Sequence, residues 1–325
     1  MKPFGLTMAI DRLYGLSKDE FDEAAKFVQI VEVGWGLPLV WKESALRSRI
    51  EYYHSRGVKV SASGTLLEHA VLEGSVEPLL KFLKGVKFDI VEISDGIIDQ
   101  TLEQRRSMAR RALGAGFEFL FTVGKKDPLA QLSLRETLEQ LEVGKSLDPI
   151  KVVLEGREIG RGVGIYDQGG NVRWDILRAI VSRFDFHDII FEAPLEPQQA
   201  ALILEMGPEV NLGNVSLASL ASLQSERMGL RFDTFGIDRP AGKLKGGPAT
   251  KFVLFTIRNY QPIDQRGIAA ITQLPKRTIQ KALEGLVSQG LVMEHASFED
   301  RRNKLYRTPS FSPMEKVHEA RSPPS

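Results

Sequence analysis

The sequence predicts an α/β fold, a TIM-type (β/α)8 parallel barrel followed by a small winged helix-turn-helix domain. Three features carry this prediction: eight strand-like runs that alternate with helical patterns, a Gly/Pro/Lys-rich break, and a closing helix–helix–helix–hairpin order. We therefore divide the chain into a barrel (1–237), a linker (238–248), a winged-helix domain (249–310) and a disordered tail (311–325).

The eight strand-like runs are short and rich in β-branched residues. They are LTMAID (6–11), IVEVGW (30–35), VKVSAS (58–63), DIVEIS (89–94), EFLFTV (118–123), KVVLEG (151–156), DIIFEA (188–193) and EVNLGN (209–214). Apolar residues recur at three- and four-residue spacing between them, which indicates crossover helices and a parallel sheet. Eight such units close a barrel. A doubly wound open sheet is the alternative, but no Gly-x-Gly-x-x-Gly follows the first strand.

The second domain is predicted from helices at Lys251–Asn259, Asp264–Ile271 and Lys276–Gln289, followed by two strand-like pieces within 291–309. Its Asp-Arg-Arg turn resembles the wing of MarR-type regulators. In such domains the start of the third helix enters the major groove, and the wing lies near phosphates. The predicted DNA-binding residues are Lys276, Arg277, Lys281, Arg301, Arg302 and Lys304. A dimerisation or protein-contact module is the alternative.

Composition narrows the classes of function. The absence of cysteine excludes disulfides and thiolate metal sites, and five histidines without clustering disfavour zinc. No apolar run is long enough for a membrane span and the N-terminus lacks a signal peptide, so we expect a cytoplasmic protein. Residues 241–325 carry 14 Lys and Arg against 7 Asp and Glu, whereas the preceding residues carry 29 against 35. The basic part could contact a polyanion such as double-stranded DNA.

Carboxylates lie at most of the predicted strand exits, where the active sites of such barrels are found. A divalent cation would neutralise such a cluster, and oxygen ligands favour Mg²⁺. The predicted metal ligands are Asp11, Glu92, Asp95, Glu155 and Glu192. The alternative is that half of these acids face helices or solvent and pair with arginines.

Basic residues follow the fifth and sixth strands. Lys126 could act as an acid or bind a phosphate. The alternative, which its place in the sequence fits equally well, is an ordinary lysine of a surface loop. The glycine-rich segment EGREIGRGVG (155–164) offers backbone N–H groups to an anion. The predicted anion-binding residues are Lys125, Arg157, Arg161 and Asn214.

These segments together resemble the phosphosulfolactate synthase family of coenzyme M biosynthesis. The stretches that carry the resemblance are GWG (34–36), SGTLLEHA (63–70), VEISDG (91–96), VGKK (123–126), LEGREIGRG (154–162), FEAPLEPQQ (191–199), VNLGN (210–214) and GLRFDTFG (229–236). The resemblance implies a (β/α) barrel, an archaeal source and Mg²⁺-dependent addition of sulfite to phosphoenolpyruvate. It also implies Lys126 as the general acid, with Glu155 and Glu192 as catalytic carboxylates.

Four departures separate this chain from that pattern. Glu32 stands where the family has a lysine, Thr122 where it has a glutamate, and Phe232 where it has a glycine; the turn after the first strand is DRLYG (11–15) instead of DKGLP. Two hypotheses follow. The chain is a synthase-like lyase acting on small anions, or a DNA-binding regulator whose barrel senses an anionic metabolite. We expect a homo-oligomer with no membrane association in either case.

Overall fold

A computed structural model describes residues 4–13, 17–234, 246–260, 263–289, 291–296 and 304–308. The chain divides into two compact units, Met1–Thr234 and Phe235–Ser325. No described helix is long and apolar enough to cross a membrane. Arg301 and Arg302, the predicted tail and most of the predicted linker lie outside the described residues.

The first unit is a closed barrel of eight parallel strands in chain order, which confirms the predicted barrel. The strands are β1 (Thr7–Asp11), β2 (Ile30–Val33), β3 (Lys59–Ala62), β4 (Ile90–Ile93), β5 (Glu118–Val123), β6 (Val152–Leu154), β7 (Ile189–Glu192) and β8 (Asn211–Ser216). Pairing of β1 with β8 closes the barrel.

Among the described residues of this unit, nine α-helices connect the strands and a tenth follows β8. They are α1 (Lys18–Ala24), α2 (Leu37–Val40), α3 (Glu43–His54), α4 (Gly64–Leu72), α5 (Val76–Gly85), α6 (Leu102–Gly114), α7 (Leu134–Ser146), α8 (Trp174–Val181), α9 (Glu196–Met206) and α10 (Leu220–Arg227). Capping boxes start α6 at Thr101 and α7 at Ser133, where each hydroxyl accepts the N–H three residues on. The local sequence therefore fixes where these helices begin.

The interior of the barrel is layered. One layer is an apolar cluster of Met8, Ile30, Ile90, Leu120, Val153 and Ile190. Side chains two residues apart on a strand point to the same side. The next inward positions toward the carboxyl end are therefore Ile10, Glu32, Glu92, Thr122, Glu155 and Glu192. The apolar cluster from Met8 to Ile190, here called the apolar floor, thus lies beneath a second layer of side chains. This second layer is polar on every one of these strands except β1.

The second unit contains α11 (Pro248–Tyr260), α12 (Gln265–Thr272) and α13 (Lys276–Ser288). Strands β9 (Ile263–Asp264), β10 (Met293–Ala296) and β11 (Lys304–Arg307) form an antiparallel sheet in the order β10–β11–β9. Val253, Ile257, Ile268, Ile279 and Leu286 are among its buried core residues. Apolar residues at helical spacing therefore produce a small core within this unit.

Candidate functional site

A small polar cavity, with an accessible volume of about 20 Å³, lies at the carboxyl ends of the barrel strands. Its wall is formed by Ile10, Glu32, Trp35, Ser63, Thr65, Glu92, Lys126, Glu155, Arg157, Glu158, Glu192 and Asn214. Catalytic side chains of barrel enzymes lie at this end, because the loops that follow the strands converge there. The cavity is therefore the candidate active site.

Backbone N–H groups hold two of the glutamates in the cavity. The Gly64 N–H donates to Glu92 at 2.9 Å, and the Gly156 N–H donates to Glu192 at 2.8 Å. A Cβ on Gly64 would overlap the Ser94 hydroxyl, and one on Gly156 would lie 2.7 Å from the Glu192 carbonyl oxygen. Glycine at both positions thus lets the backbone approach these carboxylates closely.

The four buried glutamates of the cavity are Glu32, Glu92, Glu155 and Glu192. Burial, reinforced by the charge of Glu92, raises the pKa of Glu32 to about 8. Burial, together with the charge of Glu32, raises the pKa of Glu192 to about 7. The pKa of Glu155 is also raised well above its usual range, by burial and by Glu192. The cluster therefore favours either bound protons or a bound cation near neutral pH.

Lys126 is the lysine of this cavity. Its Nζ donates to the Thr65 hydroxyl at 3.0 Å and lies 3.7 Å from a Glu155 carboxylate oxygen. Burial opposes its charge, but the glutamates around it, Glu155 foremost, outweigh burial and raise its pKa above the ordinary lysine value. Lys126 therefore enters the cavity as an ammonium group with a proton to donate.

Backbone strain concentrates around the cavity. Leu13, Trp35, Arg157 and Asn214 have φ values between 54° and 61°, in the left-handed region that non-glycine residues rarely adopt. Each of them lies at or near the carboxyl end of a barrel strand. Such conformations persist where the surrounding structure holds them, and they are frequent at functional sites.

Asp11, a predicted metal ligand, does not reach the cavity. Ile10 takes the inward position on β1, so Asp11 points outward to α3. There the carboxylate accepts from Arg49 at 2.5 and 2.8 Å and from the Tyr53 hydroxyl at 2.7 Å. Its placement among the metal ligands is corrected accordingly: Asp11 is an ion-paired structural residue.

Asp95 and Lys125 also lie outside the cavity wall. Asp95 is buried 3.2 Å from Arg105, and the Lys125 ammonium lies 3.1 Å from Asp95 and 3.0 Å from Asp99. These ion pairs occupy the groups that were predicted to bind metal and anion. The alternative considered for the acids, pairing with basic residues, applies to both Asp11 and Asp95.

The remaining predicted anion-binding residues divide in two. Arg157 and Asn214 line the cavity, whereas Arg161 is exposed in the glycine-rich loop and is not part of the wall. The Arg157 guanidinium donates to the Lys126 carbonyl at 3.2 Å and lies 3.4 Å from Glu158. Their role in anion binding stays a prediction.

Sequence reasoning missed several cavity residues. Ser63 and Thr65 follow β3, a strand exit without an acid or a base, so charge gave no signal there. Their signal was the run SGT, because small hydroxyl residues at a strand exit can contact substrate. Glu32, a departure from the family pattern, is one of the glutamates of the cavity wall. The Trp35 side chain also lines the wall.

Carboxylate oxygens, the ligands that magnesium prefers, line this cavity. Among the residues that the structure describes, no group of three or more His, Asp or Glu side chains is arranged to hold a metal ion. Glu155 and Glu192 lie close enough to hydrogen-bond each other, so one proton can be shared between them. Next to them, Asn214 places its Nδ2 3.4 Å from Glu192, and its buried Oδ1 has no hydrogen-bond partner.

In the second unit, Lys276, Arg277 and Lys281 are exposed at the start of α13. Lys304 begins β11 and pairs with Glu294 at 2.7 Å. The predicted contacts of these four residues with DNA stay predictions.

Residues 2–233 match the family described as (2R)-phospho-3-sulfolactate synthase (ComA). A phosphosulfolactate synthase of Methanocaldococcus jannaschii is 36% identical over 238 residues, covering 71% of this chain and 94% of that protein. The Methanothermobacter thermautotrophicus enzyme of the same name is 33% identical over 240 residues, covering 71% and 92%. That of Bacillus subtilis is 31% identical over 242 residues, also covering 71% and 92%.

Proposed function

We propose that this chain, which belongs to the (2R)-phospho-3-sulfolactate synthase family, adds sulfite to phosphoenolpyruvate with Mg²⁺ as cofactor. Identity of 31–36% to three phosphosulfolactate synthases supports a lyase-type enzyme, as the sequence predicts. The observation that carries the proposed reaction is the half-buried Lys126 ammonium, which faces four buried glutamates in the cavity at the carboxyl ends of the strands.

Lys126 would supply the proton that the reaction consumes. When the sulfur lone pair forms a bond to the methylene carbon of phosphoenolpyruvate, the C=C π pair moves to the neighbouring carbon. That carbon then takes the proton from the Lys126 Nζ. The raised pKa keeps Lys126 protonated beforehand, and a carbanion is basic enough to take its proton.

Glu155, Glu192 and the Asn214 amide oxygen would hold the magnesium ion. Two buried carboxylates that can share a proton, beside an unpaired amide oxygen, fit a cation that usually takes one or two carboxylates plus substrate oxygens. A bound Mg²⁺ stabilises the negative charge that develops on the substrate. Arg157, which lines the same cavity, would contribute positive charge toward the anionic reactants.

The test is a turnover assay of the full chain with phosphoenolpyruvate, sulfite and Mg²⁺, with the sulfite-dependent product identified by mass spectrometry. Lys126→Met should reduce kcat by about 10²–10⁴-fold, the usual contribution of a positioned general acid. Lys81→Met is the matched control, because that exposed lysine of α5 lies outside the cavity wall and the variant should keep most activity. Absence of turnover by the folded wild-type protein would reject the synthase proposal.

We also propose that the second unit is a winged helix that binds double-stranded DNA. Support comes from its three helices with an antiparallel sheet, and from the outer face of α13. Ile279 and Leu283 are buried, whereas Lys276, Arg277 and Lys281 are exposed and form no ion pair with any described residue. Unpaired cations on one end of a helix suit contact with DNA phosphates and base edges.

Fluorescence anisotropy of the full chain with duplex DNA at several salt concentrations tests this second proposal. Arg277→Ala should weaken binding and reduce the salt slope by about 1 if the side chain contacts a phosphate. Lys81→Ala, an exposed lysine of the barrel unit, is the control. Unchanged affinity in Arg277→Ala and Lys276→Ala would contradict the proposal. A DNA affinity that shifts with phosphoenolpyruvate, without turnover, would favour the sensing barrel.

A further inference from the structure

Arg12, the residue directly after β1, is a cation at the rim of the cavity that the proposed reaction has not used. Its guanidinium carbon lies 5.1 Å from the ring centroid of Trp35, a residue of the cavity wall that is 41% exposed. The Arg12 Nε is buried and has no hydrogen-bond partner, and Arg12 forms no ion pair with any residue that the structure describes. A buried donor without an acceptor is costly unless a ligand completes it.

The backbone on both sides of Arg12 is held firmly. Asp11 before it is fixed by Arg49 and Tyr53. Leu13 after it is buried in the left-handed conformation, and its N–H donates to the Asp11 carboxylate at 2.7 Å. The backbone of Arg12 therefore has a defined position at the rim of the cavity.

The stacking partner is held as well. Trp35 has a φ of 57°, and its carbonyl accepts from the Ser63 hydroxyl at 2.9 Å. An arginine stacked on an aromatic ring keeps the edge of its guanidinium plane available for hydrogen bonds, because stacking uses only the face. The pair is thus pre-organised to present N–H donors.

The other cations of the wall are already engaged. Lys126 lies beside Glu155, and Arg157 lies beside Glu158 and donates to a backbone carbonyl. The charge of Arg12 acts on Glu32, but the two residues form no ion pair. Arg12 therefore keeps donors that a ligand can use.

We propose that Arg12, stacked on Trp35, binds an oxyanion of the substrate at the β1–β2 side of the cavity. The inference deepens the proposed function and rests on it, since both proposed reactants are oxyanions. The shared chemistry is a group with several oxygens that a planar guanidinium can bind in bidentate fashion, as a phosphate or a sulfite. Arg12 is then a specificity-determining residue for whichever of these two groups it contacts.

Isothermal titration calorimetry of the full chain with inorganic phosphate and, separately, with sulfite tests the inference. Arg12→Met keeps an unbranched stem against Trp35 and removes the donors. It should weaken binding of one probe by about 10- to 100-fold, as expected for loss of a hydrogen bond to a charged group. Arg12→Lys should weaken it less. Arg135→Met, an arginine on α7 whose side chain is 87% exposed, should leave both affinities unchanged.

The probe that loses affinity identifies the group that Arg12 binds. Equal affinity of wild type and Arg12→Met for both probes, with unchanged melting temperatures, overturns the inference. Absence of binding of either probe to the wild-type protein overturns it too. The proposed reaction can fail separately: a chain that binds phosphate through Arg12 but never forms the sulfite-dependent product would retain this inference and lose the synthase proposal.

Discussion

Replacing Asp11 with alanine should destabilise the barrel strongly, although the carboxylate itself lies outside the cavity wall. The Asp11 carboxylate is fully buried and accepts from Arg49, the Tyr53 hydroxyl and the Leu13 N–H. Removal of one partner from a buried ion pair costs about 3–5 kcal/mol, because the other charge stays buried and unpaired. For a unit of this size the melting temperature should fall by roughly 6–20 °C. Urea unfolding and calorimetry of the full chain measure both quantities.

Asp22→Ala is the matched control for this experiment. Asp22 also pairs with an arginine, Arg56, but its side chain is 40% exposed, so its loss should have a much smaller effect. Arg49→Met added to Asp11→Ala should recover part of the loss, since it removes the unpaired guanidinium. Equal losses in the Asp11 and Asp22 variants would refute the reasoning. So would a Mg²⁺ affinity that weakens in folded Asp11→Ala, because Asp11 would then be a metal ligand after all.

Three further predictions concern the cavity. Burial raises the pKa of Glu32 to about 8 and of Glu192 to about 7. The free energy of unfolding should therefore be highest below the ordinary glutamate pKa and should fall as pH rises through these two values, because the buried carboxyl groups must then ionise. Urea unfolding at several pH values should show this decrease in the free energy of unfolding, and Glu32→Gln should make the decrease smaller. Gly64→Ala should lower both the melting temperature and turnover, because the new methyl group would collide with Ser94; an active, stable variant would contradict this. Saturating Mg²⁺ should raise the free energy of unfolding, by about 2.7 kcal/mol at 100 times its Kd, and Glu155→Gln should remove most of the gain. An equal gain in Glu155→Gln would exclude that residue as a ligand.

Most of the barrel could be predicted because its signals are local. Each strand is a short β-branched run and each crossover has helical spacing, so element order and parallel pairing follow from the sequence. The second unit was predicted as three helices and a hairpin, and the described residues contain those helices and an antiparallel sheet. The winged-helix assignment, the domain boundaries, the homo-oligomer, the cytoplasmic location and the archaeal source stay predictions.

The candidate site was only partly predictable, because a residue at a strand exit belongs to the cavity only if its side chain points to the inside of the barrel. Glu92, Glu155 and Glu192 lie two residues after apolar floor residues and point inward. Asp11 lies three residues after Met8 and points to α3. In the sequence, an inward carboxylate and an outward carboxylate at a strand exit cannot be told apart by residue type. Counting from the apolar floor separates them, but the floor itself is recognised only once the barrel register is known.

Charged residues outside the cavity wall hold in place the strand ends that carry the cavity residues. Arg105 is fully buried behind the mouth and donates to the carbonyl oxygens of Ile93 and Thr122, at the ends of β4 and β5. Asp95 lies beside Arg105, and Lys125 lies beside Asp95. Such a buried guanidinium needs these carbonyls and this carboxylate to offset its desolvation. The strand ends that carry Glu92 and Lys126 are thereby tied together. A cavity that holds four buried glutamates beside Lys126 and Arg157 can keep its geometry because this second set of charges, each of them ion-paired, fixes the backbone at the strand ends.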